Sequence, residues 1–473
     1  MPLSPNRPIQ SDSDSIIKNK TMSYKKLLII LALVCLMIGC KKYLNEKSNS
    51  NLVVPQTLED LQALLDRTIA TNSSDPSATA VSSDEYYLTD NDWNALSSDY
   101  YKRMYKWDSA GLFQPGGAND WGNAYQLVYL ANTVISEMGN IERTTTNAND
   151  WDNVIGQAYF YRGKAFYNIA SIWCKSFDSV YTSTDLGIPL RTDPDFNIPS
   201  IRSTLENTYR QILSDLKVSS SYLPQVPIHV MRPSKGAAFG MLSRIYLFIR
   251  NYSMAEIYAD SALKINSNLM DFNTIGTSKT YPIAQFNTET IYYSSISVPA
   301  PLNISRAKID TNLYSSYANG DLRKSIFFRS NTDGSVGFRG NYTGGLSLFS
   351  GISVNELLLI HAECTVRLGD LENGLTDLNK LRSARWSKTI AYVPFTSVSK
   401  QQSLDTILVE RKKELLMRGL WWQDVKRLNL EKRAISLHRR LNGQLLTLDP
   451  TSDRFVLRIP EDVIQLTGMQ QNK

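Results

Sequence analysis

Three sets of side chains in this sequence have types and spacings that could do chemistry. The first is charged: Glu410, Arg411, Glu414, Arg418, Asp424 and Arg427 lie in one short stretch. Such a set could be a catalytic acid cluster, but its spacing favours ion pairs. Glu414 and Arg418 stand four residues apart with the acid N-terminal, the favourable order on a helix. Arg411 falls on one stripe with Leu404, Leu408 and Leu415, and a charge on an apolar stripe needs a partner. Glu414, or a carboxylate from a neighbouring helix, can supply it. The set therefore reads as a structural network that locks the last helix, and no catalytic residue is assigned. The second set is the histidines, His229, His361 and His438. His361 lies on an apolar helix face and reads as a satisfied core residue. No His-Glu-x-x-His, Gly-x-Ser-x-Gly or Gly-x-x-x-x-Gly-Lys spacing occurs, so zinc-protease, α/β-hydrolase and P-loop chemistry lose their usual warrant. Asp90-x-Asp92-x-Asn94 opens like a calcium loop, but Ala95 stands where the turn needs Gly and Tyr101 where a bidentate Glu is needed. No metal and no cofactor is expected. The third set is aromatic: Tyr86, Tyr87, Trp93, Tyr100, Tyr101, Tyr105 and Trp107 crowd into one segment.

The elements that must position these groups are mostly helical. Thr57 followed by Asp60 has the form of a capping box, opening a helix with the stripe Leu58, Leu61, Leu64 and Leu65. Ala158, Tyr161, Ala165, Ile169 and Ile172 trace one helix face, widened by Phe166 and Trp173. Further faces run through Ala238, Met241, Leu242, Ile245 and Phe248; through Val354, Leu357, Leu358, His361 and Leu368; and through Leu371, Leu375, Leu378 and Leu381. A long helix is expected from Leu404 to Leu428. Strand patterns are short, around Ile291–Tyr293 and Phe455–Leu457. Residues 71–118 and 267–350 lack a sustained period and are expected to be long loops. Between Gly236 and Asn266, Leu242, Ser243, Tyr246, Ala255, Ala262 and Leu263 match tetratricopeptide spacings, with small residues at Ser243 and Ala255 where antiparallel helices cross. Ala362 and Gly374 repeat that separation in the pair 354–385.

The chain has 473 residues, 42% hydrophobic and 20% charged, an ordinary globular mixture. Met22 to Lys26 supplies a basic start, and the apolar run Leu27–Ile38 is too short to span a bilayer, which takes about 20 residues. It ends at Met37-Ile38-Gly39-Cys40, which resembles a bacterial lipobox. Met22 is thus the expected functional start, with residues 1–21 upstream of it, residues 1–39 a signal peptide, and Cys40 a lipid-attachment site. Two or more acyl chains hold a protein stably on a membrane. Of the 51 basic and 45 acidic residues, five and two precede Cys40, leaving a net charge of +3. No Lys/Arg cluster suggests nucleic-acid binding. Cys35 lies in the signal, and Cys174 and Cys364 are expected to be buried free thiols.

Several stretches together resemble the SusD/RagB family of surface lipoproteins. Cys40-Lys41-Lys42-Tyr43-Leu44-Asn45 is similar to the family's mature start. Ala158 to Tyr167, reading AYFYRGKAFY, is similar to its first helix motif, followed by the turn Gly187-Ile188-Pro189-Leu190. Glu356 to Glu363, Leu368-Gly369-Asp370 and Leu378 to Arg382 resemble its C-terminal repeat. The most specific piece is Glu410 to Leu415 continuing through Gly419 to Arg427. Ile459-Pro460 and Gln471-Asn472 close the chain in the same manner. The sequence departs from the family at Leu420, where a basic or aromatic residue is usual, and lacks the Asn-Pro that often precedes the final Gln-Asn.

The resemblance implies a mainly α fold, in which a tetratricopeptide-like helical scaffold carries long irregular loops that form the ligand face. It implies a tether over 40–56 and one domain over 57–473, with an N-terminal part to about 265 and a C-terminal part from 266. It implies a non-enzymatic carrier, lipid-anchored at the outer-membrane surface. Such a carrier would deliver oligosaccharides, or peptides for some members, to a SusC-like TonB-dependent transporter. Sugar rings have apolar C–H faces that pack on Trp and Tyr, while Asp, Asn and Ser meet hydroxyls. By position in the family, the expected ligand residues are Tyr86, Tyr87, Asp92 and Trp93, with Phe338 and Tyr342 from the Gly-rich stretch 337–351. Two other readings remain at this level: a glycan-active enzyme, needing carboxylates roughly 5–10 Å apart across a cleft, and a scaffold that binds no small ligand.

Overall fold

The computed structural model describes residues 55–473, so the signal segment, Cys40 and most of the tether lie outside the described residues. Thr57 does cap α1 (Leu58–Leu65), and the reciprocal Asp60 bond completes the capping box. The segment expected to be a long loop, 71–118, instead begins at the end of α2 (Thr68–Asn72) and holds three short helices: α3 (Ala78–Ser82), α4 (Asp90–Asn94) and α5 (Asp99–Tyr105). Five to seven residues make fewer than two turns, too few to show a period, so tertiary contacts must stabilise these helices.

Eight long helices make the scaffold: α6 (Asp120–Met138), α7 (Ala148–Trp173), α8 (Leu205–Tyr222), α9 (Lys235–Phe248), α10 (Tyr252–Ile265), and, after an irregular insertion with the short α11 (Thr311–Ser315) and α12 (Arg323–Ile326), α13 (Val354–Leu368), α14 (Leu371–Ala384) and α15 (Lys400–Glu414). Each packs on its neighbour in chain order, and α10 meets α13 across the insertion. The small residues sit at the crossings. Ser243 donates its hydroxyl to the Ala255 carbonyl at 2.9 Å, bringing α9 against α10. A Cβ at Gly374 would meet the Ala362 carbonyl at 2.8 Å, so α14 could not lie this close to α13 with any larger residue there. The fold is mainly α, a tetratricopeptide-like scaffold with irregular loops packed on it.

The expected helix from Leu404 to Leu428 is two. α15 stops at Glu414 and α16 (Trp421–Leu430) restarts after a break in which Met417 and Gly419 have φ of 60° and 72°. The Met417 amide, freed from helical pairing, donates to buried Glu85 at 3.1 Å. A Cβ at Gly419 would press on Thr79 Oγ1 at 2.9 Å. Helical periodicity survives this break in the sequence, and only the tertiary contact reveals it. The strand expected at Phe455–Leu457 is a 3-10 turn and extended chain, whereas β11 (Leu437–Leu441) and β12 (Gln444–Leu448) form a hairpin about Asn442-Gly443, both at positive φ. Asn-Gly between alternating apolar residues is a strong hairpin signal.

The charged set is a buried network, differently wired from the spacing. Glu414 accepts from Arg385 Nη2 at 2.8 Å, Arg323 Nη1 at 2.9 Å and Asn355 Nδ2 at 2.7 Å, not from Arg418. Arg418 donates to Ser353 and lies over the rings of Tyr342 and Phe349. Arg411 pairs with Asp424 at 2.9 Å, and Arg427 bonds Glu363 through both terminal nitrogens. Cys174 and Cys364 are buried free thiols.

Candidate functional site

The aromatic segment and the insertion join into one face. β1 (Tyr86–Tyr87) pairs antiparallel with β6 (Lys308–Ile309), and Asp75 bridges to Ile296. Asp75 also fastens this face to the scaffold. Its Oδ1 accepts from Lys164 Nζ on α7 at 2.6 Å, and its Oδ2 from Ser294 and Ser350 hydroxyls at 2.7 and 2.6 Å.

Beside Asp75 lies a cavity of about 250 Å³, walled by Tyr100 and Tyr101 of α5, Phe113 and Gln114 of the loop before α6, and Asp120 and Asn123 of α6. Local chemistry explains its shape. Asn119 caps α6 by accepting from the Gly122 amide. That sets Asp120 at the first turn, where its Oδ2 accepts the amides of Ser77 and Ala78 at 2.9 and 2.8 Å. These are orphan donors at the start of α3. Part of the Asp120 surface opens to the cavity, while protein screens it from bulk water on other sides. Burial pushes its carboxyl up to about 6, against the lowering effect of those two amides. Burial and the Asp120 charge raise the Tyr101 phenol above its usual value. The site thus offers aromatic faces, a carboxylate without a cationic partner, and side-chain amides. Sugar hydroxyls and ring faces need these groups. Asp75 is saturated by its own partners, which leaves Asp120 as the carboxylate with bonding capacity toward the cavity.

None of the six ligand residues expected from position lines this cavity. Three of them are buried. Tyr86 is 1% exposed and gives its hydroxyl to the Val81 carbonyl at 2.9 Å, under Arg439. Tyr342 is 0% exposed and bonds Glu289 at 2.6 Å. Phe338, in the hairpin of β7 (Phe328–Ser330) and β8 (Val336–Phe338), packs on Phe327. These rings complete the core because the irregular regions have few long helices to bury their apolar surface. Tyr87, Asp92 and Trp93 are partly exposed but lie elsewhere. Asp92 Oδ2 accepts from Lys308 at 2.5 Å and from Thr89. Burial would raise its carboxyl, but these bonds hold it below the usual range. The Trp93 indole donates to the Lys102 carbonyl, and the ammonium groups of Lys102 and Lys106 sit 5.6 and 5.8 Å from its ring centre. The ring faces that do line the cavity, Tyr100 and Tyr101, come from the same aromatic run. Asp120 and Asn123 carried no signal, since α6 showed no expected period. Among the described residues no group of three or more metal-binding side chains occurs, and no helix is long and apolar enough to cross a membrane.

Comparison with known proteins agrees with this architecture. Residues 42–247 match the SusD-like family described as starch-binding and associating with the outer membrane, and residues 354–457 match the SusD family itself. The chain belongs to the SusD family. A SusD superfamily protein of Bacteroides thetaiotaomicron superposes with a TM-score of 0.71 at 20% identity, covering 88% of this chain and 100% of that one. A SusD-like carbohydrate-binding protein of Bacteroides vulgatus does so at 0.66 and 19%, covering 87% and 96%. SusD-like protein P2 of Formosa agariphila is 30% identical over 128 residues, which is 27% of this chain and 23% of that relative. The two family matches leave residues 248–353 between them, and the cavity wall at Ser297, Val298 and Pro299 lies in that interval.

Proposed function

We propose that the protein is a non-enzymatic glycan-capture lipoprotein that binds an oligosaccharide at the Tyr100–Asp120 cavity and passes it unaltered to a SusC-like TonB-dependent transporter. In this reading Cys40 carries the lipid anchor in the outer membrane, residues 40–56 are the tether, and 57–473 act as one binding domain. The observation that carries it is the cavity, in which two Tyr faces, an amide and a cation-free carboxylate converge on a space sized for a ring. The family match and its outer-membrane description support the location and the class of ligand. Calorimetric titration against neutral oligosaccharides should give binding that Tyr101→Ala weakens and that leaves the sugar uncut by chromatography. Cleavage, or binding that ignores Tyr101, would overturn the reading. Pulldown from outer membranes should recover a large β-barrel protein, and labelled palmitate should enter the wild type but not Cys40→Ser.

A further inference from the structure

The cavity has a charge character that the shared architecture does not dictate. Its lining contains two carboxylates, Asp75 and Asp120, and no Lys, Arg or His. Asp75 is neutralised by Lys164 and saturated by two hydroxyls. Asp120 is not. Its Oδ2 is held by two amides, but among the described residues Oδ1 has only the Ser77 hydroxyl at 3.5 Å, the outer limit of a hydrogen bond. A group of positive charges lies on the far side of Asp75. Lys164, Arg244 and Arg418 line a separate cavity of about 40 Å³, room for a water and not for a sugar ring. Lys164 and Arg244 are already committed to Asp75 and Glu356. On the open side, the Asn123 side-chain amide makes no hydrogen bond to a described residue and can give or accept one.

Resting on the glycan reading above, we infer that this cavity selects its sugar by charge, admitting neutral rings, preferring rings that carry a free amine, and rejecting uronic acids and sulfated sugars. An anionic substituent would bring a second negative charge beside Asp120 in a space whose lining offers no cationic side chain, and like charges at short range inside protein are poorly screened. A hydroxyl donor meets the vacant side of Oδ1 as a charge-assisted bond, and an ammonium group adds opposite charge to the same contact. The aromatic walls are indifferent to this choice, because Tyr100, Tyr101 and Phe113 offer ring faces to any pyranose.

The test uses three oligosaccharides of equal length built from glucose, glucosamine and glucuronic acid, titrated calorimetrically into the wild-type protein at neutral pH. Glucosamine should bind tightest and glucuronate at least about tenfold more weakly than glucose, one factor of ten in the dissociation constant. Asp120→Asn should remove most of the gap between the charged ligands. Because that variant also loosens the Ser77 and Ala78 amides, Asn123→Asp provides a second arm that leaves them intact, and it should widen the gap. Glucuronate binding equal to or tighter than glucose, with Tyr101→Ala weakening both, would overturn the charge rule while leaving the cavity as a glycan site. No binding of any of the three would overturn both.

Discussion

Two buried carboxylates of the scaffold and two of the loop face are held in opposite ways. In the scaffold, Glu414 lies between Arg385 and Arg323, and Glu363 accepts from Arg427 and Arg367. Burial would raise both carboxyls, but the guanidinium groups outweigh it, holding Glu414 below the usual range and Glu363 at about 2. On the loop side, Glu85 and Asp120 face amides and hydroxyls. Burial wins there, pushing Glu85 up to about 7 and Asp120 to about 6, with Lys412 near Glu85 only partly opposing it. The difference teaches where rigidity and recognition are placed. Paired charges pin the helices in one arrangement. A carboxylate held by neutral donors keeps bonding capacity, and Asp120 alone of the four opens to a cavity.

The largest effect should come from breaking a pinned charge. Arg385→Ala leaves Glu289 and Glu414 without their shared partner, and urea unfolding should show a loss of about 3–5 kcal/mol, as for other buried pairs deprived of one member. A shift under 1 kcal/mol, roughly the value of an exposed pair, would erase the contrast. The pH dependence should come next. Glu363 and Asp321, depressed to about 2, contribute stability that is complete above ordinary carboxylate pKa values and is lost as pH falls through about 2. Glu85 has the opposite sign. Its contribution is complete below the ordinary value and is lost as pH rises through about 7. Thermal unfolding should therefore peak at mildly acidic pH, and Glu85→Gln should flatten the alkaline fall. An unchanged alkaline slope in that variant would remove Glu85 as its cause. The smallest effect separates the two aromatic positions. Tyr101→Ala should weaken glycan binding about tenfold, the scale of one lost aromatic contact, while Trp93→Ala changes it by less than about twofold. Equal losses would return Trp93 to the site.

The scaffold was legible because its determinants are local. The Thr57 cap, the Ser243 and Ala255 crossing and the stripes of α7, α9, α13 and α14 can be read within one or two helices. Ion pairing in the Glu410–Arg427 stretch was also legible, since a charge on an apolar stripe demands a partner. The identities of the partners were not. Arg323, Arg385 and Glu363 arrive from distant segments, and the break at Met417 turns Arg418 away from Glu414. The cavity is the extreme case. It draws on residues near 75, 100, 113, 120 and 298, and no spacing rule links them. Family position led instead to Tyr86, Phe338 and Tyr342, which the irregular face uses to fill its own interior. The Asn442-Gly443 turn carried a hairpin signal that went unread.

Cys174 and Cys364 are completely enclosed, and burial pushes the Cys174 thiol up to about 11. Only the thiolate attacks disulfides or alkylating reagents, so at neutral pH the folded domain is chemically silent toward both. While the domain stays folded, neither of these two thiols can enter a disulfide with the other or with a small reagent. The same silence makes the two thiols a built-in gauge of integrity: a maleimide dye added to the domain should light up only molecules whose helices have come apart.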